Sequence, residues 1–252
     1  MSPVRSIVVD TQLPCLPRLH IAMSVQGQGD PLLLMNGMTR PMQSWDPFAA
    51  MLHGRTVVSF DAPGVGGSPT PVRPLSIAEL AAVALAVLDA AGVAEADVLG
   101  YSHGGAIAQE LAHEAPDRVR GLILAATSCG MGATPGITQD IFRSLGLPLA
   151  GHPWPLPDPL GVLWQTLAMS SWSSIPFLGS IKAPTLVVCG SRDRVVPPSN
   201  SQVLAGRIPG AALVMLPGAG HDLQREESAK QLSHIVEEFL PARIATKALV
   251  AS

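Results

Sequence analysis

One pentapeptide constrains this chain more than any other stretch. Gly100-Tyr101-Ser102-His103-Gly104 reads G-x-S-x-G. Before it, Ala96-Asp97-Val98-Leu99-Gly100 has the make-up of a short buried strand. After it, Ala106 to Ala112 is a strong helix former with apolar residues at helical spacing. The serine therefore falls at a strand-to-helix turn. Flanking glycines let the backbone turn sharply there and present the hydroxyl at the helix N-terminus. With 24 glycines in 252 residues, chance supplies about 0.2 such patterns, so the context carries the reading and not the pattern. A glycine-rich turn with a capping serine is the bland alternative. The chemical reading makes Ser102 a nucleophile and aims the His103 N–H where a negative oxygen would develop on a carbonyl.

The surrounding chain alternates. Residues 4–9 and 19–25 read as strands, and Leu32-Leu33-Leu34-Met35 as a strand buried on both faces. Asn36-Gly37-Met38 follows it, either an ordinary strand-to-loop turn or a second oxyanion donor through the Met38 N–H. A helix is expected over 45–52 and a strand over 56–60. The glycine-rich loop 61–68 lacks the lysine of a phosphate loop and the spacing of a dinucleotide site. Asp61 in that loop is read as a backbone cap. A helix over 76–91 opens with Ser76 and Glu79 at capping-box spacing and closes at Gly92. Strands at 119–126, 184–190 and 212–216 and helices at 199–206 and 226–239 complete the pattern. This alternation predicts an α/β fold: a mostly parallel sheet with helices on both faces.

Residues 129–177 break the rhythm. They hold seven prolines and three of the four tryptophans, Trp154, Trp164 and Trp172. Short helices fit 137–145 and 160–169. The stretch reads as a cap inserted into a core made of 1–128 and 178–252. Its tryptophans are either anchors of that cap or an apolar substrate wall.

An acid and a base follow in order. Asp193 comes just after the strand 184–190, and His221 just after the strand 212–216. Both fall at the carboxyl ends of strands, the edge where Ser102 sits and where open α/β sheets bind ligands. Asp193 could instead pair with Arg192 or Arg194 on the surface. Asp222 competes as the acid, but a carboxylate adjacent in sequence cannot easily orient the same imidazole. Three residues of the right type at three strand ends favour a Ser–Asp–His set.

Composition excludes several classes. The formal net charge is −3 with no basic run, which argues against nucleic acid. Cys15, Cys129 and Cys189 have no metal-ligand spacing, and their odd number argues against a fully paired disulfide framework. A reducing cytoplasm is expected. The N-terminus has no long apolar stretch, so no signal peptide is expected. Acidic residues interrupt the apolar run 78–94, which reads as a buried amphipathic helix and not a membrane span.

The sequence resembles the α/β-hydrolase superfamily over nearly its whole length. The residues that carry this are Asn36-Gly37-Met38, Asp61-x-x-Gly64-x-Gly66-x-Ser68, Gly100 to Gly104, Gly190-x-x-Asp193-x-x-Val196-Pro197 and Gly220-His221. Within it, Phe60 to Ser68, Leu122 to Thr127, Trp172 to Ile175 and Arg207-Ile208-Pro209 are most similar to intracellular medium-chain-length polyhydroxyalkanoate depolymerases. His103 stands where that family carries tryptophan, and the insertion is shorter than its cap. The resemblance implies a serine esterase acting on a polyester, oligomer or medium-chain ester. Ser102, Asp193 and His221 would be its triad, Met38 and His103 its oxyanion donors, and no metal or organic cofactor would be required. Small-ester hydrolysis, thioester, perhydrolase or carbon–carbon chemistry, and a non-catalytic ligand-binding role, remain as alternatives, since one triad serves them all.

Overall fold

The computed structural model describes residues 5–13, 16–145 and 157–240. In chain order the elements are β1 (Arg5–Leu13), β2 (Leu16–Gly27), β3 (Asp30–Met35), α1 (Asp46–Ala49), β4 (Arg55–Phe60), α2 (Ile77–Ala90), β5 (Ala96–Tyr101) and α3 (His103–Glu114). They continue with β6 (Val119–Ala125), α4 (Thr138–Ser144), α5 (Pro159–Ser170), β7 (Thr185–Gly190), α6 (Pro198–Arg207), β8 (Ala212–Leu216) and α7 (Glu226–Phe239). The strands form one sheet in the order β1-β2-β4-β3-β5-β6-β7-β8. β1 pairs with β2, and β2 with β4, in antiparallel fashion; every other pairing is parallel.

The period of two along each strand sorts its apolar residues between two cores. Leu33, Val98, Leu122, Leu124 and Val187 point to a core shared with α2 and α3. Leu32, Leu34, Leu99, Ile123, Leu186 and Val188 point to the other, which contains Trp45 and Phe48 and the α7 residues Leu232 and Val236. Continuous apolar strands are what a sheet covered on both faces requires. β8 lies at the edge, and Leu213 and Met215 there are exposed. Ser76 and Glu79 form the expected capping box at the start of α2. The helix expected over 45–52 is shorter: a 3₁₀ turn, Met42–Trp45, leads into α1, whose first turn holds Pro47. No helix among the described residues is long and apolar enough to cross a membrane.

The two edges of the sheet differ in chemistry. At the amino edge, Asp30, Arg55, Asp97 and Arg120 lie at or next to the first residues of four neighbouring strands. Arg55 Nη1 donates to Asp97 Oδ2 at 2.7 Å, and Arg120 Nη2 reaches the same oxygen at 2.6 Å. Arg120 Nη1 also approaches Asp30 at 3.4 Å. Arg55 Nη2 donates to the carbonyl of Leu240, which ties in the end of α7. Asp97 is buried, and among the described residues its charge is compensated by these two guanidiniums. Replacing it leaves the buried Arg55 without its carboxylate and Arg120 with only the longer contact to Asp30, a loss of about 3–5 kcal/mol. Asp97→Ala should therefore shift the urea midpoint strongly while the slope of the transition stays unchanged.

Candidate active site

Ser102 follows β5 directly, at φ 53 and ψ −116. A non-glycine residue is strained there, and the strain is held by neighbours. The Ser102 N–H donates to the Ala125 carbonyl at 2.9 Å. Its own carbonyl accepts from Thr127 Oγ1 at 2.7 Å and from the Gly105 N–H at 2.9 Å. The flanking glycines are required by space. A Cβ on Gly100 would lie 2.4 Å from the Gly104 carbonyl oxygen, and one on Gly104 would lie 2.4 Å from that of Met35.

The acid and the base meet the serine across the same edge. His221 Nε2 lies 3.1 Å from Ser102 Oγ, and His221 Nδ1 lies 2.8 Å from Asp193 Oδ2. The Asp193 side chain is fully buried and that of His221 is 9% exposed. Asp193 Oδ1 accepts the Val195 and Val196 N–H groups at 2.9 and 2.8 Å, which fixes the carboxylate. Arg194 turns away to Asp140, Asp222 pairs with Arg40, and Arg192 has no carboxylate partner among the described residues, so none of the three alternatives for the acid occurs. The loops that carry acid and base touch back to back. Gly190 makes this possible, because a Cβ there would fall 2.3 Å from the Gly220 carbonyl oxygen. Tyr101 Oη donates to the His221 carbonyl at 3.0 Å.

Met38 and His103 line the same cavity as Ser102 and His221. Neither amide N–H has an acceptor among the described residues; for His103, at the first helical position, none is expected within the helix. The His103 side chain is buried, and its Nε2 has no partner among the described residues. Burial alone pushes its pKa down to about 4, so the ring is neutral near pH 7. Among the described residues, no group of three His, Cys, Asp or Glu side chains is placed to hold a metal ion.

The cavity has a volume of about 370 Å³. Its apolar wall comes from Ile141, Phe142 and Leu145 in and just after α4, Val162 and Met169 on α5, and Val196. Tryptophan does not supply it, which corrects one expectation. Trp164 is on α5 but faces the loop before α2, where its Nε1 donates to the Pro71 carbonyl at 3.0 Å. Trp172 Nε1 donates to the buried Glu110 at 2.6 Å, and its ring packs near Phe177. Both are anchors. The cause is helical spacing: Val162, Thr166 and Met169 share one face of α5, and Trp164 lies on another. Trp154 lies outside the described residues. Asp61 is the expected backbone cap and accepts from Met42 and Gly67 N–H groups at 2.6 and 2.8 Å.

Sequence reasoning missed Thr127, Tyr101 and Arg40 as supports of the site. Only Tyr101 carried a signal, its place inside the pentapeptide. Gln165 was also missed; its Oε1 accepts the Thr39 N–H at 3.1 Å, which ties α5 to the loop that holds Met38.

The buried neutral His103 has a consequence for stability. In the unfolded chain it titrates near its ordinary value, so between roughly pH 6.5 and 4 the unfolded state binds the extra proton. Stability should fall as pH drops through that window. Urea unfolding at pH 7 and pH 5 checks this, and His103→Gln should flatten the difference.

The fold family now follows from comparison as well as from geometry. The alpha/beta hydrolase fold family matches residues 30–148 and 155–228. A poly(3-hydroxyalkanoate) depolymerase of Ectopseudomonas oleovorans is 33% identical over 239 residues, covering 83% of this chain and 84% of the relative. A 2-hydroxymuconate semialdehyde hydrolase of Pseudomonas putida is 30% identical, covering 85% and 88%. The crystal structure of a hydrolase from Pseudomonas aeruginosa PA01 superposes with a TM-score of 0.82 at 27% identity, over 94% of this chain and 98% of that one. With its mostly parallel eight-stranded sheet and the match over most of its length, this chain belongs to the α/β-hydrolase fold family.

Proposed function

We propose that the protein hydrolyses carboxylic esters through an acyl-enzyme, with 3-hydroxyalkanoate polyesters, their oligomers or medium-chain esters as substrates. The observation that carries this reading is the relay Ser102–His221–Asp193 at the mouth of an apolar cavity. Ser102 Oγ attacks the ester carbonyl while His221 Nε2 takes its proton. Asp193 holds the imidazole tautomer and stabilises the imidazolium. The N–H groups of Met38 and His103 receive the developing oxyanion; one such donor contributes about 3 kcal/mol to lowering the barrier. His221 then gives its proton to the departing alkoxide, and a water it activates releases the acid.

The His103 side chain is not assigned a proton-transfer step, because it is neutral and its Nε2 has no partner among the described residues to relay a proton. The stretch 129–177 acts as a cap, with α4 and α5 forming the acyl wall over a core of 1–128 and 178–252. The similar depolymerase supports a hydroxyalkanoate substrate. The free thiols of Cys129 and Cys189 suit a cytoplasmic setting.

The test is hydrolysis of p-nitrophenyl esters from C2 to C12. Turnover should peak at medium chain lengths and vanish in Ser102→Ala. Asp193→Asn should lower kcat by about 10⁴ through the wrong imidazole tautomer. Turnover confined to acetate or butyrate would make the protein a small-ester hydrolase. Turnover that persists in Ser102→Ala would overturn the acyl-enzyme reading.

A further inference from the structure

A second cavity, of about 380 Å³, opens beside the first and shares Arg40, Ser144, Val195 and His221 with it. Its chemistry is the opposite. Five arginines and two aspartates line it, an excess of three positive charges in a chain whose formal net charge is −3. Each aspartate is shared between two arginines. Asp140 meets Arg143 at 3.2 Å and Arg194 at 3.0 Å; Asp222 meets Arg40 at 2.9 Å and Arg225 at 3.2 Å. Arg192, exposed on the loop that carries Asp193, has no carboxylate partner among the described residues. A guanidinium offers five N–H donors, so this shared arrangement leaves donors and positive charge unspent around one opening.

The groove touches His221 but not Ser102, Met38 or His103. In the mechanism above, the oxyanion side holds the acyl group, and His221 protonates the departing oxygen. The groove therefore lies on the side of the leaving alcohol. We propose that it binds a carboxylate carried by that alcohol, so that the preferred substrates are hydroxyalkanoate oligomers with a free carboxyl end, cleaved at the ester nearest that end. The inference rests on the esterase reading and adds to it the class and polarity of the substrate.

The chemistry balances. The bond from Ser102 Oγ to the acyl carbon forms, and the ester C–O bond breaks. The alkoxide takes the proton from His221 Nε2 and leaves as a 3-hydroxy acid, whose carboxylate lies two bonds from the carbon bearing the departing oxygen. Water then adds to the acyl carbon, and Ser102 recovers its proton. Arginine suits the anion because its planar fork meets a carboxylate with two parallel N–H groups.

The experiment compares a 3-hydroxyoctanoate dimer as the free acid with the same dimer as its methyl ester. Free-acid kcat/KM should be about two- to fivefold higher, as expected for a charged contact open to solvent. That ratio should fall toward one in about 0.5 M salt, which screens exposed charges. Arg192→Glu and Arg194→Glu should each lower the ratio, chiefly through KM for the free acid; urea midpoints confirm that the variants fold. A ratio of one or less in the unaltered protein, with Ser102-dependent turnover of the methyl ester, would overturn the groove and leave the esterase reading intact. A free-acid preference that survives both glutamate variants would overturn it too. If an octanoyl coenzyme A thioester shows the arginine dependence and the free-acid dimer does not, the anion is a phosphate and the carboxylate assignment fails. No Ser102-dependent turnover of any ester would overturn both proposals.

Discussion

Ser102 sits at φ 53 and ψ −116, a backbone region that costs a residue with a side chain about 1–3 kcal/mol, and much of the sheet is arranged to hold it there. The end of β6 supplies the acceptor for its N–H, and Thr127 grips its carbonyl. The end of β3 comes so close to Gly104 that no Cβ fits between them. Three parallel strands and α3 must therefore reach full registry before the hydroxyl is presented. The same registry delivers Asp193 and His221, because β7 and β8 add to this sheet in parallel and end at the same edge. Strain at one residue is thus offset by order across the whole molecule.

How much of this was readable in the chain follows from which forces are local. Strand positions follow from continuous apolar runs, which a sheet covered on both faces requires, and helix positions from apolar residues at helical spacing. Ser102, Asp193 and His221 were legible as candidates because each sits at a strand end, which a linear pattern marks. The walls of the cavity were not legible. Trp164 and Trp172 are the largest apolar side chains of their region, and bulk suggested a substrate wall. Their indole N–H groups decided otherwise, since a buried donor needs a partner and found one in Pro71 and Glu110. Thr127 and Arg40 were hidden for a related reason: their partners lie 25 and 182 residues away.

In the proposed reaction, the two openings at the site would divide a substrate by polarity. On one side of His221, side chains from α4 and α5 make a wall with little capacity for hydrogen bonds. On the other side lie guanidiniums on loops after β3, β7 and β8 and on α4. A hydroxyalkanoate ester with a free carboxyl end has the same division, an alkyl chain on the acyl half and a charge on the alcohol half. Under that proposal the His221 imidazole stands at the boundary, where the bond that joins the halves would break.

The ion cluster at the amino edge gives the sheet a division of labour. Asp30, Arg55, Asp97 and Arg120 bind the starts of four strands to one another, and none of them contacts the cavities at the far edge. Foldability and selectivity are therefore written at opposite ends of the same strands. Loops at the carboxyl edge can vary without touching the ion pairs that tie the strand starts together. Such a scaffold can acquire new substrates one loop at a time, and the limit on that freedom is the narrow set of glycines around Ser102.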